Sequence, residues 1–117
     1  QGEVMDRPFD AFSAHCPSRD LVEHVTNRWS SLVLVALLDN PRRFAETART
    51  VDGISDRMLS RTLTTLVEDG LVTRTEVAGQ HVEYDLTPAG RRVAAALRGV
   101  VDAVYEVMPT VLSARHG

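Results

Sequence analysis

The sequence predicts a small, mostly α fold with one β-hairpin, an α+β class in which helices precede the hairpin and a last helix follows it. Three observations predict this. Helical patterns occupy four stretches before residue 71 and one after residue 88. Between them lie two short stretches of alternating polarity joined by a Gly-containing loop. Turn-forming residues then cut the chain into short elements: Pro17, Asp39-Asn40-Pro41, Asp52-Gly53, Gly70, Ala78-Gly79 and Thr87-Pro88. A chain of 117 residues is one small domain. At this size about 65% of the unfolded surface is buried, so a partner's surface often completes the core.

Residues 1–15 lack periodicity and are expected to form a flexible N-terminal arm. Ser18 is placed to cap a short helix reaching about Val25, with Leu21, Val22 and Val25 on one face. Trp29 to Leu38 is apolar nearly all round, which predicts a central helix, ended by Asp39-Asn40-Pro41. Phe44 to about Thr50 reads as a third helix, broken by Gly53. The fourth has the clearest ends: Ser55 as N-cap, Asp56 at the positive helix end and Gly70 as the stop. Its buried stripe is Leu59, Leu63, Leu66 and Val67, and Arg57, Ser60, Arg61 and Thr64 recur on another face. Leu71–Val77 and Val82–Leu86 form the hairpin, with Val82, Tyr84 and Leu86 inward. Thr87-Pro88 starts the last helix, which is expected to run to about Met108, where Pro109 bends or ends it. Its apolar stripe, which includes Leu97, Val100, Val101, Val104, Tyr105 and Met108, is too wide for one small domain to cover and predicts a subunit interface.

The third and fourth helices flank a tight turn, Val51-Asp52-Gly53-Ile54, and the hairpin follows. That order is the winged helix-turn-helix plan. A helix fits the major groove of DNA, and here its polar face offers Arg57 and Arg61 as forked donors, with Ser60 and Thr64 as short hydroxyls. The hairpin tip, with Gln80 and His81, is placed to lie along a phosphate backbone or minor groove. The competing reading of each polar residue is a merely solvated face.

Cys16-Pro17, Arg28-Trp29, Pro41-Arg42-Arg43-Phe44, Gly53-Ile54-Ser55, Met58-Leu59-Ser60-Arg61-Thr62-Leu63, Leu66 to Val72, Val82 to Pro88, and Gly90 form one ordered series. With that series, residues 16–92 resemble the HxlR family of bacterial winged-helix regulators, relatives of the MarR group. Asn27-Arg28 stands where the family often has Gly-Lys, and Ala78-Gly79-Gln80 replaces a Pro-rich wing tip. The resemblance implies a homodimer on a roughly palindromic double-stranded DNA operator, joined through its N- and C-terminal helices, which adds Leu21 to the interface. Two fourth helices would then enter successive major grooves. Arg42 and Arg43 are placed to reach phosphates, although Arg43 reads equally well as a structural anchor. Arg74 reads as solvated, and Arg91 and Arg92 either touch phosphate or decorate the last helix.

Cys16 has two readings. One is a small buried hydrophobe. The other is a thiol activated by His15, by Arg19 and by the helix that starts at Pro17. The family resemblance implies a sensor of oxidants, quinones or other electrophiles at this Cys-Pro position. With a single cysteine, the products are an intersubunit disulfide, a mixed disulfide with a small thiol, or direct alkylation.

Composition closes off other classes. One cysteine excludes an intrachain disulfide and a Cys-rich zinc module. The four histidines lack metal-ligand spacing, and no phosphate loop or Ser/His/Asp arrangement stands out, so neither metal, cofactor nor enzymatic activity is expected. No membrane span or secretory signal is expected, which makes the cytoplasm the expected compartment. The net charge of −3 lies wholly in residues 1–27, and residues 28–92 hold nine arginines against nine acids. All 13 basic residues are Arg, so a basic phosphate contact, histidine aside, must come from Arg. The expected division is an arm at 1–15, a DNA-binding domain at 16–92, and a dimerisation helix at 93–117 belonging to the same domain. The expected function is a DNA-binding transcriptional regulator, a repressor responding to electrophiles through Cys16. The alternatives are the same regulator with a non-covalent small-molecule effector, or a winged-helix module that binds protein.

Overall fold

The computed structural model describes residues 8–117, and the arm expected at residues 1–15 therefore lies partly outside the described residues. Five helices and one hairpin follow a stretch of turns over residues 8–16: α1 (Pro17–Val25), α2 (Arg28–Asp39), α3 (Phe44–Thr50), α4 (Asp56–Glu68), β1 (Val72–Val77), β2 (His81–Leu86) and α5 (Pro88–His116). The winged helix-turn-helix order expected from the sequence is present.

Local chemistry fixes most boundaries. The first helix starts earlier than the Ser18 cap implied: Cys16 is the N-cap and Pro17 occupies the first turn. A proline there loses nothing, because its missing N–H has no helical partner at that position. Asn27 Oδ1 accepts the Trp29 N–H at 3.0 Å and opens α2. Ser55 Oγ accepts the Met58 N–H at 3.1 Å and opens α4. Thr87 Oγ1 accepts the Gly90 N–H at 3.0 Å, opening α5, and donates to the Gly70 carbonyl at 2.7 Å. The chain leaves α4 through Gly70, at φ +78°.

The hairpin is antiparallel, running from Val72 opposite Leu86 to Val77 opposite His81. Ala78 and Gly79 both adopt positive φ, and the Gln80 N–H reaches the Val77 carbonyl at 2.9 Å. That is the twist-matched turn favoured in hairpins. On the other edge of β2, Tyr84 exchanges both backbone hydrogen bonds with Arg42, at 2.8 and 3.0 Å. The wing is thereby stitched to the segment between α2 and α3.

The core lies around α2, which packs against α1, α3, α4, α5 and β2. Val33, Leu34 and Leu37 meet Leu59, Leu63 and Leu66 of α4 there, with Leu71, Val72, Leu86 and Ala94 closing the cluster. The last helix departs from expectation. It does not end near Met108 but continues through Pro109 to His116. Its apolar stripe explains why: Val104 and Met108 are followed at helical spacing by Val111 and Leu112. Proline removes one helical hydrogen bond and crowds the preceding turn, a local cost that leaves this stripe on one face. The first turns of α5 are packed at Gly90 and Ala94, whereas Val100, Val104, Tyr105, Val107 and Leu112 are exposed.

Candidate nucleic-acid interface

The packing of α4 decides what it can present. Leu59, Leu63 and Leu66 are buried, which turns Arg57, Ser60, Arg61 and Thr64 to solvent. None of these four side chains makes a hydrogen bond or ion pair among the described residues, so their donors are free for a ligand. A groove flanks the strip on each side. Ser60 and Thr64 line one, of about 530 Å³, against the hairpin. Arg61 lines the other, of about 200 Å³, against the junction of α1 and α2.

The remaining predicted contacts divide. Arg42 Nε donates to the Ala36 carbonyl at 2.8 Å, so this arginine fastens the end of α2 as well as the wing. Arg43 is exposed, and its backbone N–H donates to Glu46 Oε1 at 2.8 Å. That hydrogen bond, helped by the charges of Arg43, Arg49 and Arg42, holds the Glu46 carboxyl below the usual carboxylate range. Gln80 is exposed at the hairpin tip, while His81 Nε2 lies 3.0 Å from Glu83 Oε2. Arg91 donates to the Leu38 carbonyl at 3.2 Å, and Arg98 pairs with Asp39 at 3.1 Å.

Three arginines distant in sequence thus gather at the C-terminal end of α2, where carbonyls lack helical partners and the dipole is negative. Sequence reasoning missed this function of Arg42, Arg91 and Arg98, because α2 has no basic residue of its own in its last turn. It also missed His24, whose Nδ1 lies 2.8 Å from Asp69 Oδ2 and ties α1 to the end of α4.

Cys16 is partly buried at the N-cap of α1. Its Sγ accepts the Asp10 N–H at 3.4 Å and the Ser18 hydroxyl at 3.2 Å. These donors, the Asp10 N–H foremost, hold the thiol below its ordinary pKa against partial desolvation and the Asp10 carboxylate. The expected cationic neighbours are not the cause. Arg19 pairs with Glu23 at 2.9 Å and also reaches the Phe12 carbonyl at 3.3 Å.

Of the residues predicted for a subunit interface, Leu21 and Leu97 pack partly against the chain's own core. Val101 and Met108 are partly buried, and Val100, Val104 and Tyr105 are exposed. Val101 and Tyr105 also line an apolar pocket of about 260 Å³ with Leu32, Val35 and Val51.

A buried helix-turn-helix core, a free polar face on its second helix and a following hairpin define a winged helix-turn-helix DNA-binding regulator. Residues 24–111 match the family described as HxlR-like helix-turn-helix, and the chain belongs to that family. It is 40% identical over 106 residues to the HTH-type transcriptional regulator YtfH of Escherichia coli (strain K12), spanning 89% of this chain and 84% of that one. Among solved structures, it is similar to the transcriptional regulator ytfH from Salmonella typhimurium. The TM-score is 0.84 at 38% identity, covering 93% of this chain and 99% of that one. The reduced form of the transcriptional regulator YodB from B. subtilis aligns with a TM-score of 0.67 at 28% identity, over 76% of this chain and 90% of that one. YodB has also been solved diamide-treated and quinone-bound. Among the described residues, no helix is long and apolar enough to cross a membrane.

Proposed function

We propose that the protein is a cytoplasmic repressor that binds a roughly palindromic operator as a homodimer and releases it when Cys16 is oxidised or alkylated. The free outward face of α4 carries the DNA reading: Arg57 and Arg61 present forked donors, with Ser60 and Thr64 beside them. Arg43 and Gln80 are the peripheral contacts that remain exposed. The signal reading is supported by the hydrogen bonds to Cys16 Sγ, which favour thiolate, the nucleophilic form. The diamide-treated and quinone-bound states of YodB support the same reading by similarity.

The chemistry needs one co-reactant, a two-electron oxidant or a quinone. Two Cys16 thiolates, one per protomer, give up two electrons to an oxidant and form an intersubunit disulfide. With a quinone, the thiolate adds to a ring carbon and the ring takes up a proton. Either product sits at the start of α1 and shifts the helices that set half-site spacing. Operator affinity of the wild type and C16S, measured with and without diamide, tests the proposal. The wild type should lose affinity and C16S should not; equal insensitivity of both removes Cys16 as sensor. The apolar pocket beside Leu32 and Tyr105 favours a second reading, a non-covalent effector. In that case C16S still responds to the effector.

A further inference from the structure

We infer that the groove between α4 and the hairpin seats the DNA sugar-phosphate backbone, with Arg74 as its cation and Ser60 and Thr64 as phosphate donors rather than base readers. The inference rests on the DNA-binding reading and assigns that interface a subsite.

The register places Arg74 directly opposite Tyr84. Residues alternate across a strand, so Arg74 shares a face with Val72, and Tyr84 shares one with Leu86. Val72 and Leu86 are both buried, which makes this the inward face of the hairpin. Arg74 accordingly lines the groove together with Ser60, Thr64, Glu68 and Tyr84. The sequence expectation of a solvated arginine is met only in part: the residue is exposed, but toward the recognition helix.

Its guanidinium is also unspent. Arg19, Arg42, Arg91 and Arg98 each make a side-chain hydrogen bond. Arg74 makes no ion pair or side-chain hydrogen bond among the described residues, although Glu68 lines the same groove. A forked cation beside two free hydroxyls matches the oxygens of a phosphodiester. The groove's volume of about 530 Å³ accommodates such a group with several waters, each of about 30 Å³. Glu68 ends α4 and lies nearer the base of the hairpin, so its charge pushes a phosphate toward Ser60 and Thr64. Sequence reading is then left to Arg57 and Arg61, on the rest of the strip.

The test uses two duplexes, one selected from a random pool by the wild-type protein and one of mixed sequence, titrated with salt. R74Q should bind both about tenfold more weakly at low salt. Its log–log salt slope should be shallower by about 0.9, and the affinity ratio between duplexes should be unchanged. R74K should recover most of the salt slope, and E68Q should tighten binding to both duplexes. T64V should weaken binding to both alike, whereas R61Q should lower the ratio. Circular dichroism melts confirm that the variants fold. Wild-type affinity and slope in R74Q overturn the inference, as does a ratio that collapses in R74Q or T64V. Failure of the wild-type protein to enrich any duplex from the pool, with no binding to the mixed-sequence one, overturns the DNA reading itself, and the subsite with it.

Discussion

Gly90 lies in the first turn of α5 against the backbone of Leu71. A side chain there would collide with the Leu71 carbonyl oxygen and come within 2.8 Å of its carbonyl carbon. Backbone cannot turn aside as a flexible side chain can, so helix and hairpin base must separate. Gly90→Ala is expected to cost about 3 kcal/mol, the upper range for overpacking. Urea unfolding should show this as a lower midpoint at unchanged slope. The thiol of Cys16 gives a second outcome at this scale. Its pKa is lowered by the Asp10 N–H and by Ser18, so removing Ser18 raises it. The rate of iodoacetamide alkylation in S18A should therefore reach half its plateau at higher pH than in the wild type. An unmoved profile would mean that Ser18 does not hold the thiolate. The sequence exposed Cys16 and its place beside a helix start, because Pro17 is a local signal. Of the causes it pointed to, the helix start holds, through the Ser18 backbone, whereas His15 and Arg19 do not: the leading donor is the Asp10 N–H, a backbone group six residues away, brought there by turns without periodicity. The role of Arg42 was hidden for a related reason: Ala36 and Tyr84 are brought to it only by the completed fold.

At the scale of elements, the ends written in side-chain chemistry were legible. Ser55 and Thr87 each accept the N–H three residues on, and both caps could be read from residue type and spacing. Ser55→Ala should therefore destabilise by about 1 kcal/mol, and Ser55→Asp should keep most of the wild-type stability, both read from thermal melts. A loss in S55A without rescue by S55D would place the role of Ser55 elsewhere. The short helix α3 has a different start, in which the Arg43 N–H donates to Glu46. The folded carboxyl of Glu46 ionises below its usual range, so its contribution is present above the unfolded pKa and fades as pH falls through the folded one. The end of α5 was not legible from its proline. Pro109 signals a break locally, but the apolar stripe resumes at Val111 and Leu112, and periodicity over the longer window is the signal that agrees with the structure. The groove beside α4 was equally out of reach, since alternation along β1 and β2 does not say which helix the hairpin covers.

For the whole molecule, the question is what covers α5. The described residues span 54 × 45 × 23 Å, and the middle of their longest helix carries Val100, Val104, Tyr105 and Val107 in the open. Leu32 of α2 is exposed as well, and the pocket between them is lined by Val35, Val51 and Val101. A monomer of this size rarely exposes such a patch, and a stable dimer needs about 1,200–2,000 Å² of buried surface, which a long apolar helix can supply. The charge pattern agrees: residues 93–117 carry two arginines and two acids, so no net charge opposes a second copy. Two copies joined there would present two α4 faces to one duplex, and binding to the second half-site becomes intramolecular once the first is held. V104D combined with Y105E places two carboxylates in that surface without touching the core around α2. The variant should sediment as a monomer, keep the wild-type helical signal, and lose far more affinity for a two-half-site operator than for a single half-site. If it remains a dimer by sedimentation equilibrium, α5 is not the interface, and the exposed stripe must bind something other than a second copy of this chain.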